Sequence, residues 1–276
     1  MEIIVGRLVG FCSGVQRAIS GSKKALRKNR KIYCLGEIIH NRVVVDELKQ
    51  KGMVVVKSVT QVPDSSNFII RSHGLPNNII QKASEKHCRI YDFTCPKVKN
   101  THRLVIDLTA DGYQIVIIGN PEHPEIKAIF SLTEGNARVI ENSDDIKALN
   151  LSEKNAIVVQ TTFSPQAFSE LAGQIILQSK KTSVYNTLCE ETIKRQKEAV
   201  HLSEKVDFMI VVGGKNSSNT KTLCNIAKIR VPVTHIEESN ELDKVNFKNI
   251  QKVGIISGAS TPKEQVNEVY LKLLNL

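Results

Sequence analysis

The chain has 276 residues, 41% of them hydrophobic, which is enough for two or three compact domains. Lysine and arginine exceed aspartate and glutamate by 38 − 28 = 10, a balance that suits anionic substrates or an acidic protein partner. Aromatic residues make up only 5%, tryptophan is absent, and no apolar run approaches the roughly 18 residues of a membrane span, so neither nucleic acid nor a membrane is expected as a partner.

Glu2-Ile3-Ile4-Val5 reads as a strand, and Cys12 follows in FCSGV at the start of a helical pattern. That short lead leaves no room for a signal or transit peptide and predicts a cytoplasmic chain. Ile32-Tyr33-Cys34-Leu35 is a second strand, ending in GEIIHN, and Met53-Val54-Val55-Val56 a third. FIIRSHGLP, residues 68–76, is a strand whose loop passes through proline into a helix, where the missing N–H is harmless. Arg89-Ile90-Tyr91-Asp92 then leads to Cys95 in DFTCP.

The same order returns twice. Ile115 to Ile118 runs into GNPEHPE, Ala137 to Ile140 follows, then AIVVQTTFSP (156–165), and Ser183 to Asn186 leads to Cys189 in TLCEET. Phe208 to Val212 runs into GGKNSSN, Val231 to Ile236 follows, then VGIISGASTP (253–262). From each cysteine to the first glycine of the next polar loop the offset is constant: 36 − 12, 119 − 95 and 213 − 189 all equal 24. Only the third repeat lacks a last strand, and the strand at residues 2–5 is expected to supply it.

Strands alternating with helices predict an α/β fold with parallel sheets and right-handed crossovers. Three similar small units are expected in a pseudo-threefold ring: residues 13–95, 96–189, and 190–276 completed by 1–12. Ligands gather at the carboxyl ends of such strands, so six polar loops and three cysteines are expected at one centre.

Six cysteines in a cytoplasmic chain, with no CxxC, do not make a disulfide framework or a common zinc site. Cys34, Cys88 and Cys224 lie in or beside apolar segments and read as buried thiols. Cys12, Cys95 and Cys189 each open a helix, where the dipole favours thiolate. Three thiolates suit an iron–sulfur cluster with one iron free of protein ligands better than zinc, which wants four ligands. The loops carry His40, His73, His123, Glu125, Thr161, Ser217, Ser218, Asn219 and Ser260. Singly these are ordinary turn and cap residues; at equivalent places in a repeat they make a cradle for a phosphorylated substrate. Two other readings use the same residues: a binding protein for a phosphorylated metabolite with structural cysteines, and a hydrolase using Cys95 with His123.

FCSGV, GEIIHN, RSHG, DFTCP, GNPEHPE, QTTFS, GGKNSSN and SGASTP, in that order, resemble the 4-hydroxy-3-methylbut-2-enyl diphosphate reductases, the last enzymes of non-mevalonate isoprenoid synthesis. The resemblance spans nearly the whole chain. It implies reductive dehydroxylation of an allylic alcohol diphosphate to isopentenyl and dimethylallyl diphosphates. It implies a 4Fe–4S cluster on Cys12, Cys95 and Cys189, and a diphosphate grip from His40, His73, Ser217, Ser218, Asn219 and Ser260, with His123 lining that site. Glu125 matches the proton donor, and Thr161 the hydroxyl that passes or orients the proton. Ferredoxin or flavodoxin is implied as electron donor, since no flavin or nicotinamide fingerprint is present. One departure from the pattern is Glu191, where a small residue is expected; Thr192, Arg195 and Gln196 fit.

Overall fold

The computed structural model describes residues 1–275. In chain order it contains β1 (Glu2–Val5), α1 (Ser13–Lys28), β2 (Ile32–Leu35), α2 (Arg42–Gln50), β3 (Met53–Val56), β4 (Asn67–Ile70), α3 (Asn77–Glu85) and β5 (Arg89–Asp92). There follow α4 (Pro96–Ala110), β6 (Gln114–Ile118), α5 (Pro124–Phe130), β7 (Ala137–Ile140), α6 (Ser143–Lys147), β8 (Asn155–Val159), α7 (Pro165–Gln178) and β9 (Thr182–Val184). The last are α8 (Glu190–Ser203), β10 (Phe208–Val212), α9 (Ser218–Lys228), β11 (Val233–Ile236), β12 (Lys252–Ser257) and α10 (Lys263–Leu274).

The strands form three four-stranded sheets, ordered β3-β2-β4-β5, β7-β6-β8-β9 and β11-β10-β12-β1, and every pairing is parallel. The third sheet repeats the order of the other two only because β1 lies beside β12, with Glu2 opposite Lys252 and Val5 opposite Ile255. In each sheet the chain steps outward from the first strand of the repeat to the second, then returns to the first strand's other side. That reversal is a topological switch point, and the polar loops leave the strands that flank it. GEIIHN and RSHG follow β2 and β4, GNPEHPE and QTTFS follow β6 and β8, and GGKNSSN and SGASTP follow β10 and β12.

β6, β8 and β10 are buried at all five positions. Continuous apolar runs of this kind are what a parallel strand needs when helices cover both faces. In the third sheet the pleat divides them: Phe208, Ile210 and Val212 pack with Val266, Val269 and Leu273 of α10. Met209 and Val211 face Leu202 of α8 and Leu223 and Ala227 of α9. Among the described residues no helix is long and apolar enough to cross a membrane.

By compactness the chain forms two units. One comprises residues 1–16, 39–45 and the chain from Glu190 onward, and holds the third sheet; the other comprises residues 17–38 and 46–189, and holds the first two.

Candidate active site

In the larger unit the loop after β6 turns into α5. His123 caps this helix, its Nδ1 accepting the Glu125 N–H at 3.2 Å, and Pro124 occupies the first turn, where its fixed φ suits a helix. The cap carries Glu125 inward, so that it is only 1% exposed. Both its carboxyl oxygens are engaged by one residue of the loop after β8. The Thr161 N–H donates to Oε1 at 2.7 Å and the Thr161 hydroxyl to Oε2 at 2.7 Å. Burial pushes the Glu125 carboxyl up to about 7 in spite of these two bonds, which favour the anion. A carboxyl held there can exchange a proton near neutrality. The rings of His73 and His123 meet edge to face at 5.4 Å.

The cysteine loops are tied to the same loops by a bond that recurs in all three repeats. The Cys95 N–H donates to Ser72 O at 2.9 Å, the Cys189 N–H to Thr161 O at 2.9 Å, and, in the smaller unit, the Cys12 N–H to Ala259 O at 3.0 Å. Each acceptor is the second residue after the third strand of its repeat. Cys95 is the N-cap of α4, and the Lys97 and Val98 amides point at its sulfur. Burial nevertheless raises its thiol, and neighbouring Cys189 and Glu125 raise it further, so the helix terminus alone does not secure the thiolate. A positive charge beside the Cys95 sulfur would favour its thiolate. All three site cysteines are free thiols and half-buried. By contrast Cys34 and Cys224 are fully enclosed, with thiols pushed up to about 12 and about 11 by burial. Cys88, expected to be buried, is half-buried beside Pro63.

The smaller unit assembles the hydroxyl-rich loops. Ser217 caps α9, its Oγ accepting the Thr220 N–H at 3.3 Å. Gly214 lies flat against the His40 carbonyl, where a Cβ would come within 2.2 Å of the oxygen, so only glycine fits. The Ser260 hydroxyl donates to the same carbonyl at 3.2 Å. His40, Ser217, Ser218, Asn219 and Ser260 thus share one loop cluster. Asn219 is 5% exposed, yet neither its Oδ1 nor its Nδ2 has a hydrogen-bond partner. A buried amide with both ends unsatisfied is unusual enough to require an explanation, and a polar ligand is the simplest.

Two residues that the motifs leave without a role fix the Cys12 loop. Arg195 of α8, 4% exposed, donates through Nη1 to Leu8 O and to Ser257 O (3.1 Å), and through Nη2 to Gly10 O (2.8 Å). One turn on, the Glu198 carboxylate accepts from the amides of Arg7 and Leu8. The pair is spaced i, i+3 on one helix face, a pattern that reads as a surface ion pair unless the fold is known. Glu191 pairs with Lys194 at 3.9 Å with 40% of its side chain exposed, so the acidic residue faces solvent.

The family model described as LytB protein matches residues 3–274. A protein of Dictyoglomus thermophilum named 4-hydroxy-3-methylbut-2-enyl diphosphate reductase is 41% identical over 276 residues, covering 100% of this chain and 97% of its own length. A protein of the same name from Clostridioides difficile is 37% identical, with both chains covered in full. The solved structure of the E-1-hydroxy-2-methyl-but-2-enyl-4-diphosphate reductase of Plasmodium falciparum superposes with a TM-score of 0.93 at 29% identity, covering 100% of this chain and 88% of that one.

Proposed function

The chain belongs to the LytB protein family, and on that premise we propose that it reduces 4-hydroxy-3-methylbut-2-enyl diphosphate to isopentenyl and dimethylallyl diphosphates. The reaction breaks the allylic C–O bond, consumes two electrons and two protons, and releases water. The three repeats, 13–95, 96–189 and 190–276 with 1–12, each contribute one cysteine. Cys12, Cys95 and Cys189 would hold a 4Fe–4S cluster. In support, all three are half-buried thiols at helix starts, and the Cys95 thiol, raised first by burial and further by neighbouring Cys189, needs a positive partner to ionise readily. When bound, such a cluster supplies one-electron redox chemistry and a Lewis-acidic iron open to substrate.

The observation that carries the reading is the buried Glu125–Thr161 pair beside Cys95. A hydroxyl leaves as water only if a proton reaches its oxygen, and Glu125 holds one near neutrality because its burial disfavours the anion. Thr161 fixes the carboxyl through both oxygens, so that little reorganisation accompanies proton transfer. His123 sets the loop by capping α5. His40, His73, Ser217, Ser218, Asn219 and Ser260 would grip the diphosphate, with the orphaned Asn219 amide and the α9 N-terminus suited to an anion. Electrons would come from a ferredoxin or flavodoxin.

The test is Glu125→Gln in protein purified without oxygen. Its visible spectrum and iron content should match the parent, while turnover with a chemical reductant falls by about 10²–10⁴, the usual contribution of a general acid. Near-normal turnover would remove Glu125 from the mechanism.

A further inference from the structure

The proposed reaction draws its electrons from outside the chain, so some surface must bring a carrier close to a cysteine. Within the larger unit, α1 from Arg17 onward, with Asn29 after it, runs beside Tyr91 of β5, the edge strand of the first sheet, and the two residues that follow that strand. Three contacts trace the path toward Cys95. Asn29 donates to the Tyr91 hydroxyl at 3.1 Å. The Phe93 ring rests on Gly21, where a Cβ would come within 2.4 Å of it. The Arg17 guanidinium donates to the Thr94 carbonyl at 2.9 Å, one residue before Cys95. Helix and strand thus run in opposite directions, and the start of the helix meets the cysteine loop.

Along this helix Arg17, Lys24 and Lys28 are spaced by seven and four residues, which puts them within about 20° of one line. All three are exposed, and α1 contains no acidic residue. Lys24 and Lys28 enter no ion pair among the described residues, whereas neighbouring Lys23 is taken by Glu47 at 2.9 Å. Exposed Arg89, over the Tyr91 ring at 5.4 Å, extends the positive face, and the Asp92 carboxylate is neutralised by Lys99 at 2.5 Å. No large exposed apolar side chain lies on α1, so the face has nothing to insert into a lipid surface.

We propose that the Arg17–Lys24–Lys28 face of α1 is the docking surface for a small acidic protein that carries one electron. This rests on the reductase reading. Charge complementarity selects the partner and speeds its arrival. The Arg17–Thr94 bond links the face to the Cys95 loop. Each encounter oxidises one carrier by one electron, so two encounters supply the pair that the C–O cleavage consumes along with two protons.

The experiment compares the cofactor-loaded protein with K24E/K28E and with K180E/K181E, which makes the same charge change on the exposed segment after α7. An acidic ferredoxin is the probe. Its affinity is titrated without oxygen at low ionic strength, and turnover is followed with ferredoxin or dithionite as reductant. K24E/K28E should weaken ferredoxin binding and lower ferredoxin-supported kcat/KM by about tenfold, flatten the salt dependence, and leave dithionite-supported turnover unchanged. K180E/K181E should behave as the parent. Parent-like binding by K24E/K28E, or equal weakening by both pairs, overturns the assignment. If the parent turns over with neither reductant, the reductase reading falls, while the binding comparison still decides the surface.

Discussion

Thr161→Val tests the proposed proton donor, Glu125, without altering that residue. The substitution keeps the shape and the backbone N–H to Oε1, and deletes the hydroxyl that donates to Oε2 at 2.7 Å. A hydrogen bond to a charged group contributes about 1.5–3 kcal/mol, and this one favours the Glu125 anion. Its loss should raise the proton affinity of the carboxyl roughly ten- to a hundredfold. Infrared titration of the carboxyl band, with Glu125→Gln as the blank, should place the parent midpoint at about 7 and the variant clearly above it. The alkaline limb of kcat should move the same way, because the protonated form donates. Thr161→Ser should restore the parent midpoint. A midpoint unchanged or lowered in Thr161→Val would refute the claim that this hydroxyl governs the carboxyl.

Other consequences follow from the same geometry. The Glu125 pKa rises on folding from the ordinary 4.5 to about 7, so the stability it confers is full below 4.5 and lost as pH rises through 7. Relative to Glu125→Gln, denaturant unfolding of the metal-free chain should show the parent losing about 3 kcal/mol across that window. Asn219→Ala removes a buried amide with no partner, so it should leave unfolding stability unchanged or higher by about 1 kcal/mol, while substrate KM rises about tenfold. Arg195→Met leaves the carbonyls of Leu8, Gly10 and Ser257 without their donor and should destabilise the chain by about 2–4 kcal/mol, with lower iron occupancy at equal reconstitution. Arg195→Lys, a point charge without the fork, should restore only part of it.

The repeat was legible because parallel strands buried on both faces leave unbroken apolar runs, and because the 24-residue offset survives in the residues. The place of β1 followed from counting strands. Strand ends were less clear: Ser183 to Asn186 shortens to β9 at Val184, and Val231 to Ile236 begins at Val233, after Pro232, which lacks an N–H for the ladder. The Glu125–Thr161 pairing joins residues 36 apart and was accessible only through resemblance. Arg195 and Glu198 are opaque in the sequence because their partners are backbone carbonyls and amides of residues 7–10 and 257, which no side-chain pattern marks. Capping boxes also recur in the three repeats: Ser58 with Gln61, Asn142 with Asp145, and Glu238 with Glu241. Their residue types differ, so only geometry shows the equivalence.

On the proposed reading Cys12, Cys95 and Cys189 together hold one redox cluster. The measurement that bears on it most directly is iron and acid-labile sulfide content, with a visible spectrum, on protein purified without oxygen. About four irons and four sulfides per chain are expected, with a brown colour lost in Cys12→Ser, Cys95→Ser and Cys189→Ser. The colour should persist in Cys34→Ser and Cys224→Ser, whose thiols are buried. A colourless, iron-free protein that cannot be reconstituted, or a cluster indifferent to the three substitutions, would show that these cysteines hold no such cluster.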